Sequence, residues 1–111
     1  MIDKTKLKQA LDNEQESFIQ THKKSIELFD SAKGNLLGGV PMNWMVRWAG
    51  SCPIFVKDAK GAHFTDEDGN EYIDFCLGDT GSMVGHAPEP AVKAISEAVK
   101  HGTTYMLPTK D

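Results

Sequence analysis

The segment PIFVKDAKGAHFTDEDGNEYIDF, residues 53 to 75, restricts the possible folds of this chain more than any other. Three short runs of strand-forming residues, PIFVK, AHFT and EYIDF, are separated by DAKG and DEDG, with alternation of apolar and polar residues clearest in AHFT. Alternation of period two puts one face of each run against a core and the other in water. Asp68-Gly69 between two such runs is a hairpin signal, because glycine accepts the positive φ of a tight turn and aspartate bonds its own backbone. An antiparallel three-stranded meander is therefore expected, with charges such as Lys57 and Glu71 on its wet face. The acidic run Asp66, Glu67, Asp68 lacks the alternation and the distal glutamate of a calcium loop, and it reads as a solvated turn.

Helical patterns flank the meander. From Asp3 to Ala32 the chain has no proline or glycine, and Leu7, Leu11, Phe18, Ile19, His22, Ile26 and Phe29 fall near a period of 3.6. One or two amphipathic helices follow, with a possible break in the polar gap from Asp12 to Ser17. GNLLGGV, residues 34 to 40, ends the pattern. Downstream, Pro88, Glu89 and Pro90 open a helix with apolar positions Val92, Ile95, Ala98 and Val99, which Lys100, His101 and Gly102 close. The expected class is α+β: an N-terminal helix, a three-stranded antiparallel meander and a following helix.

At 111 residues, with 40% hydrophobic and 25% charged residues and a net charge of −4, the chain is the size of one modest domain. It has no excess of positive charge for a nucleic acid backbone or an anionic membrane. No run approaches the length of a membrane helix and the polar start has no signal core, so a cytoplasmic location is expected. Cys52 and Cys76 read as reduced, partly buried thiols. His22, His63, His86 and His101 lack zinc-site spacing, and no metal is expected.

Two stretches could carry chemistry. PMNWMVRWAG, residues 41 to 50, sets Arg47 among two tryptophans and two methionines. Trp44 and Trp48 fit either core or a pocket wall. A lone guanidinium among large apolar groups either reaches water or meets an anion, and its planar fork matches a carboxylate at two points. LGDTGSMVGH, residues 77 to 86, is glycine-rich but lacks the lysine of a P-loop and the spacing of a dinucleotide fingerprint. With Asp79, Thr80 and Ser82 it suits a pocket wall or a plain connection.

The order of these segments carries a resemblance. GGV, then Val46-Arg47, then the meander, then a glycine-rich loop ending in Gly85-His86-Ala87, then PAVKAISEAV and GTTYMLPT, resembles the N-terminal region of class III pyridoxal-phosphate-dependent aminotransferases. Glutamate-1-semialdehyde 2,1-aminomutase and related aminotransferases are the nearest in look, over about residues 34 to 110. The resemblance implies the small-domain portion of a fold type I pyridoxal phosphate enzyme. Residues 1–33 would be a helical lead-in and 34–111 the N-terminal part of the small domain, truncated before the cofactor domain. It implies amino-group transfer between an amino acid or amine and a keto acid or aldehyde, with pyridoxal 5'-phosphate as cofactor and a homodimeric complete enzyme.

Arg47 matches the arginine that receives a substrate carboxylate, and Trp48, Asp79 and Thr80 complete the expected substrate-binding set. No residue of this chain matches the Schiff-base lysine or the phosphate loop, so neither catalytic nor cofactor-binding residues are expected in it. Asp79 stands where the aminomutase has an aromatic residue, which favours an aminotransferase over the aminomutase. A non-catalytic, partner-binding module that keeps the scaffold is the remaining alternative.

Overall fold

The computed structural model describes residues 2–110. Helix α1 spans Lys4–Thr21 and starts where Asp3 accepts hydrogen bonds from the backbone N–H groups of Thr5 (3.0 Å) and Lys6 (3.2 Å). The break expected between Asp12 and Ser17 lies instead at His22 (φ −127°, ψ 40°), after which α2 runs over Lys23–Ala32. Glutamate and glutamine are good helix formers, so the polar gap interrupts the apolar stripe without interrupting the helix. Leu7 and Leu11 are exposed, whereas Ile26 and Phe29 of α2 are half-buried. The packed face thus belongs mainly to α2.

The three strands form a sheet in the order β1 (Val56–Lys60), β2 (His63–Asp66), β3 (Glu71–Ile73). The first strand starts later than its sequence run suggests, and Asp58 to Lys60 extend it. Pro53 has no N–H for a ladder, and the Phe55 N–H goes to the Ser25 hydroxyl at 3.3 Å. The second turn falls where the Asp68-Gly69 signal places it: the Gly69 N–H meets the Asp66 carbonyl at 3.1 Å, with φ 91° at Gly69.

Contacts divide the chain into two compact units, residues 1–58 with 64–72 and residues 59–63 with 73–111. In the first, the buried side chains among the described residues are Val40, Cys52, His22, Ser25 and Asp66, so its interior is as much polar as apolar. The second contains the loop 77–85, helix α3 (Glu89–Ala98) and a 3-10 turn Val99–His101 closed by Gly102 at φ 108°. Val92, Ile95 and Val99 are all exposed. No helix among the described residues is long and apolar enough to cross a membrane.

Candidate substrate-side site

The motif from Asp66 to Asp74 builds two polar clasps, one in each unit. In the first, Asp66 is fully buried and is no solvated turn. Its carboxylate accepts from the Asn70 backbone N–H (2.8 Å), the Asn70 side-chain amide (2.9 Å) and the Tyr72 hydroxyl (2.9 Å). Burial alone would raise its pKa, but these donors and the nearby His22 outweigh that and hold it below the ordinary value. The Tyr72 oxygen also lies 2.7 Å from His22 Nε2, and the other ring nitrogen of His22, Nδ1, meets the Phe18 carbonyl at 2.8 Å. Burial, then the Asp66 bond, pushes the Tyr72 hydroxyl up to about 12.

Asp68, also expected in solvent, caps α2 from 43 residues away in sequence: its oxygens accept from Lys24 N–H (2.7 Å) and Ser25 N–H (3.0 Å). His22 supplies no side-chain cap, so these N–H groups would otherwise lack a protein acceptor. Asn70 adds a bond to the Thr21 carbonyl at 3.0 Å. The hairpin turn therefore fastens the α1–α2 junction.

The second clasp centres on Asp74. Its Oδ1 accepts from Cys76 N–H (2.8 Å) and Leu77 N–H (3.0 Å), and its Oδ2 meets His86 Nε2 at 2.6 Å. A carboxylate only accepts, so the His86 proton sits on Nε2. The His86 bond is the main reason the Asp74 pKa lies below its ordinary value. His86 also forms a two-bond antiparallel bridge with Gly61 (2.9 and 2.8 Å). Gly85, at φ 90°, lies so close that an added Cβ would stand 3.1 Å from Gly61 Cα. Only glycine fits there without displacement.

Between these fixed ends the loop takes an unusual path. Leu77, Gly78, Asp79 and Thr80 have φ of 57°, 56°, 52° and 76°, a left-handed turn of four consecutive residues. The turn is closed by the Ser82 N–H to the Leu77 carbonyl at 2.8 Å. Each L-residue held there costs about 1–2 kcal/mol, and the β-branched Thr80 is an outlier. Such a conformation persists only where its surroundings hold it.

Asp79 and Thr80 are exposed members of that turn in the second unit. Arg47 and Trp48 lie in the first, just after the 3-10 turn Asn43–Val46. Both are exposed, as is Trp44, so the indoles do not enclose the guanidinium. Among the described residues no carboxylate pairs with Arg47. A groove in the same unit is lined by Leu36, Leu37, Val40, Pro41, Asn43 and Val46, and Arg47 is not among its lining residues.

Every described lysine is exposed, and none offers the desolvated amine from which a Schiff-base lysine is made. No group of metal-binding side chains occurs among the described residues. Asp74 and His86 stood in the quoted motifs, but nothing local in YIDF or GH signals that they meet across 12 positions.

No family model matches the sequence. The chain is 45% identical over 87 residues to glutamate-1-semialdehyde 2,1-aminomutase of Methanococcus vannielii, covering 78% of this chain and 20% of that protein. Its structure is similar to that of a glutamate-1-semialdehyde aminomutase from Pseudomonas aeruginosa, with TM-score 0.87 and 38% identity over 98% of this chain and 24% of the other. A β-phenylalanine aminotransferase from Variovorax paradoxus is similar at TM-score 0.76 and 25% identity, over 90% of this chain and 24% of that one. The chain spans about a fifth of the length of the curated relatives it matches. Its sequence is thus similar to one part of the glutamate-1-semialdehyde 2,1-aminomutases, and its α+β architecture matches the small-domain portion of class III aminotransferase structures.

Proposed function

We propose that these residues form the N-terminal, small-domain part of a pyridoxal-phosphate-dependent aminotransferase or aminomutase and contribute substrate binding to it. Residues 1–33 serve as helical lead-in and 34–111 as the small-domain part. The carrying observation is the 0.87 TM-score to an aminomutase over 98% of this chain. In the complete enzyme the cofactor supplies an electron sink for the reacting carbon, and this chain orients the substrate. Arg47, exposed and unpaired among the described residues, receives a substrate carboxylate, with Trp48 beside it. Asp79 and Thr80 offer a carboxylate and a hydroxyl, which suit an amine or hydroxyl group better than a second acid and favour an aminotransferase. The complete enzyme is read as a cytoplasmic homodimer acting on an amino acid or amine.

The test is kinetic. In the complete enzyme Arg47→Ala should raise KM for a carboxylate-bearing substrate and lower kcat/KM about 30-fold, with far less effect on a substrate lacking the carboxylate. Equal effects on both substrates would remove Arg47 from the site.

A further inference from the structure

We propose that Asp74 and His86 are positioning residues which lock the loop 77–85 into a preformed turn that presents Asp79 and Thr80 to a ligand. The proposal rests on the reading of this loop as ligand-facing, given above. Its own basis is geometric. One carboxylate holds both ends of the loop: Oδ1 takes the N–H groups of Cys76 and Leu77 at its start, and Oδ2 takes His86 Nε2 just past its finish.

The backbone repeats the closure. The Asp74 N–H bonds the Ala62 carbonyl at 2.8 Å, while His86 bridges the adjacent Gly61. The 61–62 turn thus fixes both flanks of the loop. Three non-glycine residues in a left-handed turn need such over-determination, since Leu77 and the β-branched Thr80 disfavour it and only Asp79 tolerates it. The loop's own side chains are largely exposed, so little burial holds it. An exposed turn ordered by polar bonds at its base can offer a carboxylate and a hydroxyl without first losing conformational freedom on binding.

The test is amide hydrogen exchange on the ligand-free 111-residue chain, residue by residue. Asp74→Ala and His86→Leu should speed exchange of amides from Cys76 to Gly85 about tenfold or more, while amides of residues 66–70 in the other unit keep their rates. His86→Gln, whose side-chain N–H can stand in for Nε2–H, should restore most of the lost protection. In the wild type the His86 Nε2 proton should be seen by NMR as a slowly exchanging, downfield resonance, absent in Asp74→Ala. Unchanged loop exchange in both disruptive variants would overturn the proposal, and so would His86→Gln behaving like His86→Leu. Asp79→Asn separates the two readings: it should leave exchange intact while changing substrate preference in the complete enzyme. Intact protection with no change of preference would sink the ligand-facing role and leave the clamp standing.

Discussion

Asp66 and Asp74 stand eight positions apart in one motif, yet their carboxylates do opposite work. Asp66 lies fully buried and accepts three hydrogen bonds within its hairpin, and Asp68 beside it caps α2. Asp74 lies at the base of an exposed loop and holds open a conformation that residues such as Leu77 and Thr80 avoid. The first arrangement makes a scaffold and the second makes a presenting surface. The difference teaches that a motif shared with an enzyme family need not carry chemistry: these aspartates are spent on backbone N–H groups and on histidines.

Removing the scaffold carboxylate should have the largest effect. Asp66→Ala leaves the Asn70 donors and the Tyr72 hydroxyl without their buried acceptor and should cost about 3 kcal/mol in denaturant unfolding. A loss comparable to that of an exposed aspartate would erase the contrast. Gly85→Ala sharpens it from the other side, since the new methyl group meets Gly61 and the backbone sits at φ 90°. About 2 kcal/mol of loss is expected, with loop amides affected first.

Tyr72→Phe should cost about 1 kcal/mol at neutral pH and should also change the alkaline limb of stability. A tyrosine raised from 10.0 to about 12 on folding contributes stability that is complete below pH 10 and lost as pH rises from 10 towards 12. That limb should disappear in the phenylalanine variant. The acid limb has the opposite sign. Asp66, Asp68 and Asp74 all sit below the ordinary 3.8, so their contribution is complete above that pH and lost as pH falls through their lowered values. Smallest is Leu77→Gly, which should gain about 1 kcal/mol by relieving the left-handed turn. A loss of stability there would mean that the Leu77 side chain packs more usefully than its exposure suggests.

Much of the architecture was legible because it is local. Asp68-Gly69 marks its turn through the φ that glycine permits, and Pro88-Glu89-Pro90 with Gly102 marks the limits of the last helix. The ordered motifs also pointed to the right relatives. What was not legible depends on partners distant in sequence. An aspartate that caps a helix 43 residues away has the same neighbours as one in a solvated turn, so Asp66 and Asp68 were misread. The break at His22 carries no local signal, and the side chain there meets a tyrosine 50 positions on. Arg47 was expected between indoles, but adjacency in sequence does not make rings converge, and all three side chains are exposed. The Asp74–His86 pair needed the fold itself.

The proposed role in substrate binding is most directly tested by titrating the isotopically labelled chain with a small amino acid bearing a side-chain carboxylate and following each amide and the Arg47 side chain by NMR. The account predicts saturable shifts at Arg47 and Trp48 that vanish in Arg47→Ala, while the Asp66, Asn70 and Tyr72 signals stay fixed. Shifts spread evenly over the surface lysines, or equal shifts in the variant, would contradict it.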